Sequence, residues 1–371
     1  MTFRLSLLTA SLAGLCLALP ATACLWDYDT LNQEQSRFPS TIELITGKFL
    51  RHSPKFYQWR IEDRLQKLAK NPENIALYDD LGVAYQKTGQ HEKALETMSA
   101  KDKLRPALYE TKANLGTFHI LSGDLKQGLP FIDEALKIKP HAHFDRERYQ
   151  KWLVEYALSK YPDGKLNFPL CKPETGPRLP EFLAVKLAGL PGFLSQEASQ
   201  KAVQAVLGMM RFADYDNPLL LEVLGDLLIA SGMPEDGKQL SARAYLAASY
   251  KFKGQPEEKE YRVLAEKALH NQARRGEDEQ MPLTTLEEEF RKERAEAEAW
   301  YRNLEHKESL WIEKGLNPDS EFDKLYHSEP RLSETIDTFG LTLSGLGLMV
   351  IFCSFAFWKA YRRAEKKGSD T

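Results

Sequence analysis

The sequence is short of the motifs that announce chemistry. It has no CxxC pair, no Walker A loop, no GxGxxG and no GxSxG elbow. Thioredoxin-like redox work, nucleotide binding through those loops and elbow-based Ser/His/Asp hydrolysis therefore have no support. It has four cysteines and no N-x-Ser/Thr sequon, which fits a bacterial envelope better than a eukaryotic secretory route. Charge of one sign is missing too. The 50 Lys+Arg and 53 Asp+Glu leave a net charge of -3, with no basic excess for a nucleic-acid ligand. At 371 residues, 43% of them hydrophobic, the chain has a globular composition and room for two or three domains, and it is not a polytopic membrane protein.

Long apolar runs stand at the two ends. Leu5 to Leu19 follows Arg4 and precedes Pro20 and the small-x-small site Ala21-Thr22-Ala23, so residues 1–23 are expected to be a signal peptide with Cys24 the first mature residue. Ala21 stands where a lipobox places a larger aliphatic, so lipidation of Cys24 has weak support. Thr338 to Trp358 is uncharged and, at 1.5 Å per residue, reaches across a ~30 Å hydrocarbon core. Lys359, Arg362, Arg363, Lys366 and Lys367 follow it, while the residues before it are net acidic. The positive-inside rule puts the tail 359–371 in the cytoplasm and everything before the span outside. The expectation is a single-pass inner-membrane protein with an extracytoplasmic, periplasmic N-terminal region. Gly340 and Ser344 form a small-xxx-small pair suited to self-association. With Cys16 and Cys353 in the end segments, Cys24 and Cys171 are the only pair available for an exterior disulfide.

Between the ends lies a repeat. Gly82 and Gly116, Gly89 and Gly123, Leu81 and Leu115, and Pro106 and Pro140 are each 34 residues apart, and Pro72 is one period before Pro106. Each unit has two stretches of helical periodicity split by Gly89-Gln90 or Gly123-Asp124, which suit a tight helix–helix turn. The units are 75–108 and 109–142. A degenerate unit, 41–74, has Lys48 where a small residue belongs, but offers Ser40/Glu43 as a capping box and Ser53-Pro54 opening a second helix. Leu224-Gly225, Leu228, Gly232 and Ala244 repeat the spacing in 218–251, out of phase with the first array.

Elsewhere, one helix is expected over 145–160, and the five prolines of 161–180 mark a loop closing an N-terminal region 24–160. A second helical region spans 181–313, with helices at 181–190, 196–212, 218–231, 234–253 and 257–274. It ends in one long charged helix, 284–313, whose apolar stripe Leu286, Phe290, Ala297, Tyr301, Leu304 and Trp311 suits packing on a neighbour or self-association. Residues 314–337 read as a polar spacer before the membrane. No strand pattern emerges.

The repeat resembles the tetratricopeptide repeat (TPR) family. The resemblance implies an all-α solenoid of helical hairpins whose concave face binds peptides. On the positions matched from Gly82 and Gly116, that face is Asp79, Val83, Gln86, Ala113, Asn114, Thr117 and Ile120. Chaperone-binding members clamp a terminal carboxylate with Lys and Asn. Here only Asn114 remains, so carboxylate capture lacks its charge-assisted donors. The stretches Cys24–Leu31 and Thr46–Ser53 are also similar to the mature start of a group of uncharacterised bacterial envelope TPR proteins, which implies placement rather than an activity. The expected function is a membrane-anchored scaffold that binds another envelope or membrane protein, with no cofactor and no nucleic acid. The alternative is an envelope enzyme, a metal-dependent hydrolase on a TPR platform, with its chemistry in 141–216. His141-x-His143, near Asp145 and Glu147, is its best metal candidate.

Overall fold

The structure is a computed structural model that describes residues 25–172, 176–231, 235–270 and 281–328. The expected signal peptide, Cys24, the span 338–358 and the tail 359–371 lie outside the described residues. Among the described residues the chain is all-α, with fifteen α-helices and no strand. None of these helices is long and apolar enough to cross a membrane.

The helices begin where the sequence caps them. In α2 (Thr41–Thr46), Glu43 N–H donates to Ser40 Oγ while the Ser40 N–H donates back to Glu43 Oε2, a reciprocal cap. The helix α3 (Pro54–Lys70) starts on Ser53, whose hydroxyl accepts from Phe56 N–H. Next come two hairpins, α4 (Ala76–Lys87) with α5 (His91–Leu104) and α6 (Tyr109–Leu121) with α7 (Leu125–Ile138). Gly89 and Gly123 turn them with φ of 75° and 92°, a region that side-chain-bearing residues avoid. The second helices start at 91 and 125 and end at 104 and 138, so the 34-residue sequence period is a structural period.

Close approach explains the small residues. A Cβ on Gly82 would lie 2.8 Å from Met98, and one on Gly116 would lie 2.5 Å from Ile132. Met98 and Ile132 both follow their glycine by 16 residues. Gly225 of α11 (Pro218–Ala230) is approached in the same way by Tyr245 of α12 (Glu235–Tyr250), and Ser241, again 16 residues on, donates its hydroxyl to Gly225 O.

From α3 to α7 each helix packs on the next. The chain continues through α8 (Arg146–Lys160) and α9 (Leu179–Ala188) to α10 (Gln196–Phe212), which packs on α8 and then on α11. After α13 (Pro256–Leu269), the long α14 (Leu283–Glu313) turns back across both halves and touches α2, α3, α12 and α13. The helix α2 packs on α10, α12 and α14, so the degenerate unit 41–74 also joins the first half to the second. One core cluster runs continuously from Leu25 to Phe290.

The expected spacer 314–337 holds a further helix, α15 (Pro318–Ser328), packed on α14 and on the short N-terminal α1 (Asp29–Gln35). Phe322 and Tyr326 bury against Leu304 of α14. The polar residues around these two aromatics masked a short amphipathic helix.

Candidate peptide-binding groove

Residues Leu25 to Tyr28 form a strap along the first hairpins. Trp26 N–H donates to Asn114 Oδ1 at 2.9 Å, and Asn114 Nδ2 donates back to Trp26 O at 2.9 Å. Two residues on, Tyr28 N–H donates to Asp80 Oδ1 at 2.8 Å. Asp80 and Asn114 are 34 residues apart, each two residues before its repeat glycine. Adjacent hairpins thus read the backbone at alternate residues of the strap, which runs opposite to the repeat order.

Burial sharpens the grip. Asn114 is fully buried and also donates to Asp79 Oδ1, whose other oxygen takes Lys101 Nζ at 2.5 Å. Burial pushes the Asp79 carboxyl up to about 7, against the pull of Lys101. Trp26 packs on Ala113, Ala135 and edge-on to Tyr109, with the His143 ring 5.0 Å away.

Beside the groove the strap enters a buried ionic cluster. Arg60, without solvent exposure, bonds Asp27, Asp29 and Asp319. Arg64 bonds Asp80 at 2.8 Å and Asp319 at 2.5 Å. His52 is held between Asp29 (2.9 Å) and Glu308 (2.7 Å). Burial pulls the His52 imidazole down, but these two carboxylates outweigh it and hold it at about 9. The Asp27 carboxyl is raised to about 6 by burial and by Asp29. The cluster joins α1, α3, α4, α14 and α15, so both ends of the described chain lock onto the first hairpins.

The seven residues placed on the concave face divide. Asp79, Ala113 and Asn114 converge on the strap or on its anchor. Val83 and Ile120 belong to the continuous core, and Thr117 is fully buried. Gln86 is buried with its Oε1 unpartnered. Sequence reasoning missed Asp80 and Lys101, although the period marks both: Asp80 stands one repeat before Asn114, and Lys101 one repeat before Ala135.

The pair His141 and His143 makes no chelate. His141 Nδ1 faces Asp145 at 2.8 Å on the surface, while His143 Nδ1 faces Glu34, which also pairs with Arg146. Cys171 is buried and has no disulfide partner among the described residues, Cys24 lying outside them. A cavity of about 600 Å³ between α12, α13 and α14 lies away from the groove, and its Arg262 and Arg291 both pair with Glu287. No protein-family model matches the chain, and no curated protein matches it.

Proposed function

We propose that the chain is a membrane-anchored TPR protein, a solenoid scaffold that docks another envelope protein on the outer side of the cytoplasmic membrane. The observation that carries this reading is the spacing of Asp80 and Asn114, which hold backbone N–H groups of alternate strap residues. Backbone contacts are blind to side-chain identity, so the same two residues suit a segment of another sequence that follows the strap's backbone path, with an aromatic seated on Tyr109 and Ala135 for selectivity. The strap fills the groove as an internal ligand, and a partner segment gains access by displacing it. The apolar ends and the basic tail support the membrane placement.

The test compares three proteins in detergent-solubilised native membranes: the wild type, a strap variant (Trp26→Ala with Tyr28→Ala), and that variant carrying Asn114→Ala. The expected result is a partner enriched by the strap variant and lost with Asn114→Ala. Retention of no protein, or retention that ignores Asn114, refutes the reading. Protease added to intact spheroplasts tests the placement, and it should cleave the region before the span.

A further inference from the structure

Counting from Gly225 as from the first two repeat glycines puts Glu222 and Asp226 on the inner face of α11, in the places that Asp79 and Val83 hold on α4. A non-helical segment docks there too. Leu170 N–H donates to Glu222 Oε2 at 3.0 Å and Cys171 N–H to Oε1 at 2.7 Å. This places the Cys171 thiol beside both carboxylates: one ligand atom from each of Cys171, Glu222 and Asp226 lies within 4.8 Å of the others, and all three residues are buried.

One buried polar atom at this place has no partner among the described residues. Asp226 Oδ1 accepts from Tyr245 OH at 2.6 Å and from Arg178 Nη1 at 3.2 Å, but its Oδ2 has nothing. Leaving such an atom buried without a partner is unfavourable. Without a cation, burial raises all three acids: Asp226 to about 7, Glu222 above its usual value and the Cys171 thiol far above its own.

We propose that Cys171, Glu222 and Asp226 bind one zinc-class divalent cation, with the free Asp226 Oδ2 as one of its ligand atoms. A thiolate and two carboxylates bring three negative charges, which a dication and Arg178 balance. A thiolate selects zinc over magnesium or calcium, which take oxygen ligands. The supporting shell is in place, because Tyr261 donates to Glu222 at 2.7 Å while Tyr245 and Arg178 hold Asp226. Burial of all three residues makes this a structural site that fastens residues 161–172 to α11, independent of the docking groove. No spacing motif announces it, since Cys171 and Glu222 are 51 residues apart in sequence.

The test uses the purified full chain, stripped with chelator and titrated with Co²⁺. The expected result is about one ion per chain, a thiolate-to-cobalt band in the near ultraviolet, and bleaching of that band by Zn²⁺. Zinc alone should raise the unfolding temperature. Cys171→Ser should abolish the band. Should Cys171→Ser fail to fold, Asp226→Asn keeps an acceptor for Tyr245 but removes the free anionic oxygen, and should also weaken binding by at least about 10-fold. Asn114→Ala should leave the spectrum unchanged, which separates this site from the groove. Absence of the band, its survival in Cys171→Ser, or an unfolding temperature indifferent to zinc overturns the proposal.

Discussion

His52 makes the stability of this fold depend on pH in a direction that can be worked out beforehand. Its ring is stacked on Phe56 at 3.5 Å, lies 3.9 Å from Phe322, and carries a carboxylate on each nitrogen. The imidazole is raised from 6.5 to about 9 by Asp29 and Glu308, against the effect of burial. A shift of that size corresponds to a contribution on the order of 3 kcal/mol. Because the folded value exceeds the unfolded one, this contribution is fully present below about pH 6.5 and fades as the pH rises through about 9. Asp79, raised to about 7 chiefly by burial, also makes stability fall with rising pH, but in a lower window and in the same way in a His52 variant. The assay is urea unfolding of wild type and His52→Gln from about pH 6 to about pH 9.5. The difference between the two should be about 3 kcal/mol or more at the acid end and shrink toward the alkaline end. A difference that stays flat across the range, or grows with pH, refutes the assignment of a charged His52 between Asp29 and Glu308.

Other perturbations should follow from the same contacts. Arg60→Met leaves Asp27, Asp29 and Asp319 without their shared cation, and should cost about 3–5 kcal/mol in urea unfolding. Gly116→Ala drives a methyl group into Ile132 and should cost about 1–3 kcal/mol, whereas Gly192→Ala, with nothing within 4 Å, should leave the midpoint nearly unchanged. Tyr261→Phe removes one of the donors to buried Glu222 and should cost about 1–2 kcal/mol, read as a lowered unfolding temperature.

Much of the helical framework was legible because it depends on local signals. The capping box at Ser40, the Ser53-Pro54 start and the 34-residue glycine spacing each reflect a steric or hydrogen-bonding need within one turn or one hairpin. The site was less legible because it depends on contacts between distant parts of the chain. Leu25 to Tyr28 has no helical period, and only its fit against Asp80 and Asn114 gives it a place. Counting places Asn114 on the concave face; Lys101 is hidden because a charged residue occupies a position that is small in the next unit, and its charge is met by Asp79 from another helix. The helix α15 carries many charges, yet its Asp319 pairs inward with Arg60 and Arg64, a partnership that sequence distance conceals.

Docking at the first hairpins depends on the strap lying in the groove and being held there by its backbone. Amide hydrogen exchange at Trp26 and Tyr28 tests this most directly. Both amides should be protected in the wild type, and Asn114→Ala should release Trp26 while the amides within α11 keep their protection. Exchange of both wild-type amides at the rate of an unfolded chain would contradict it.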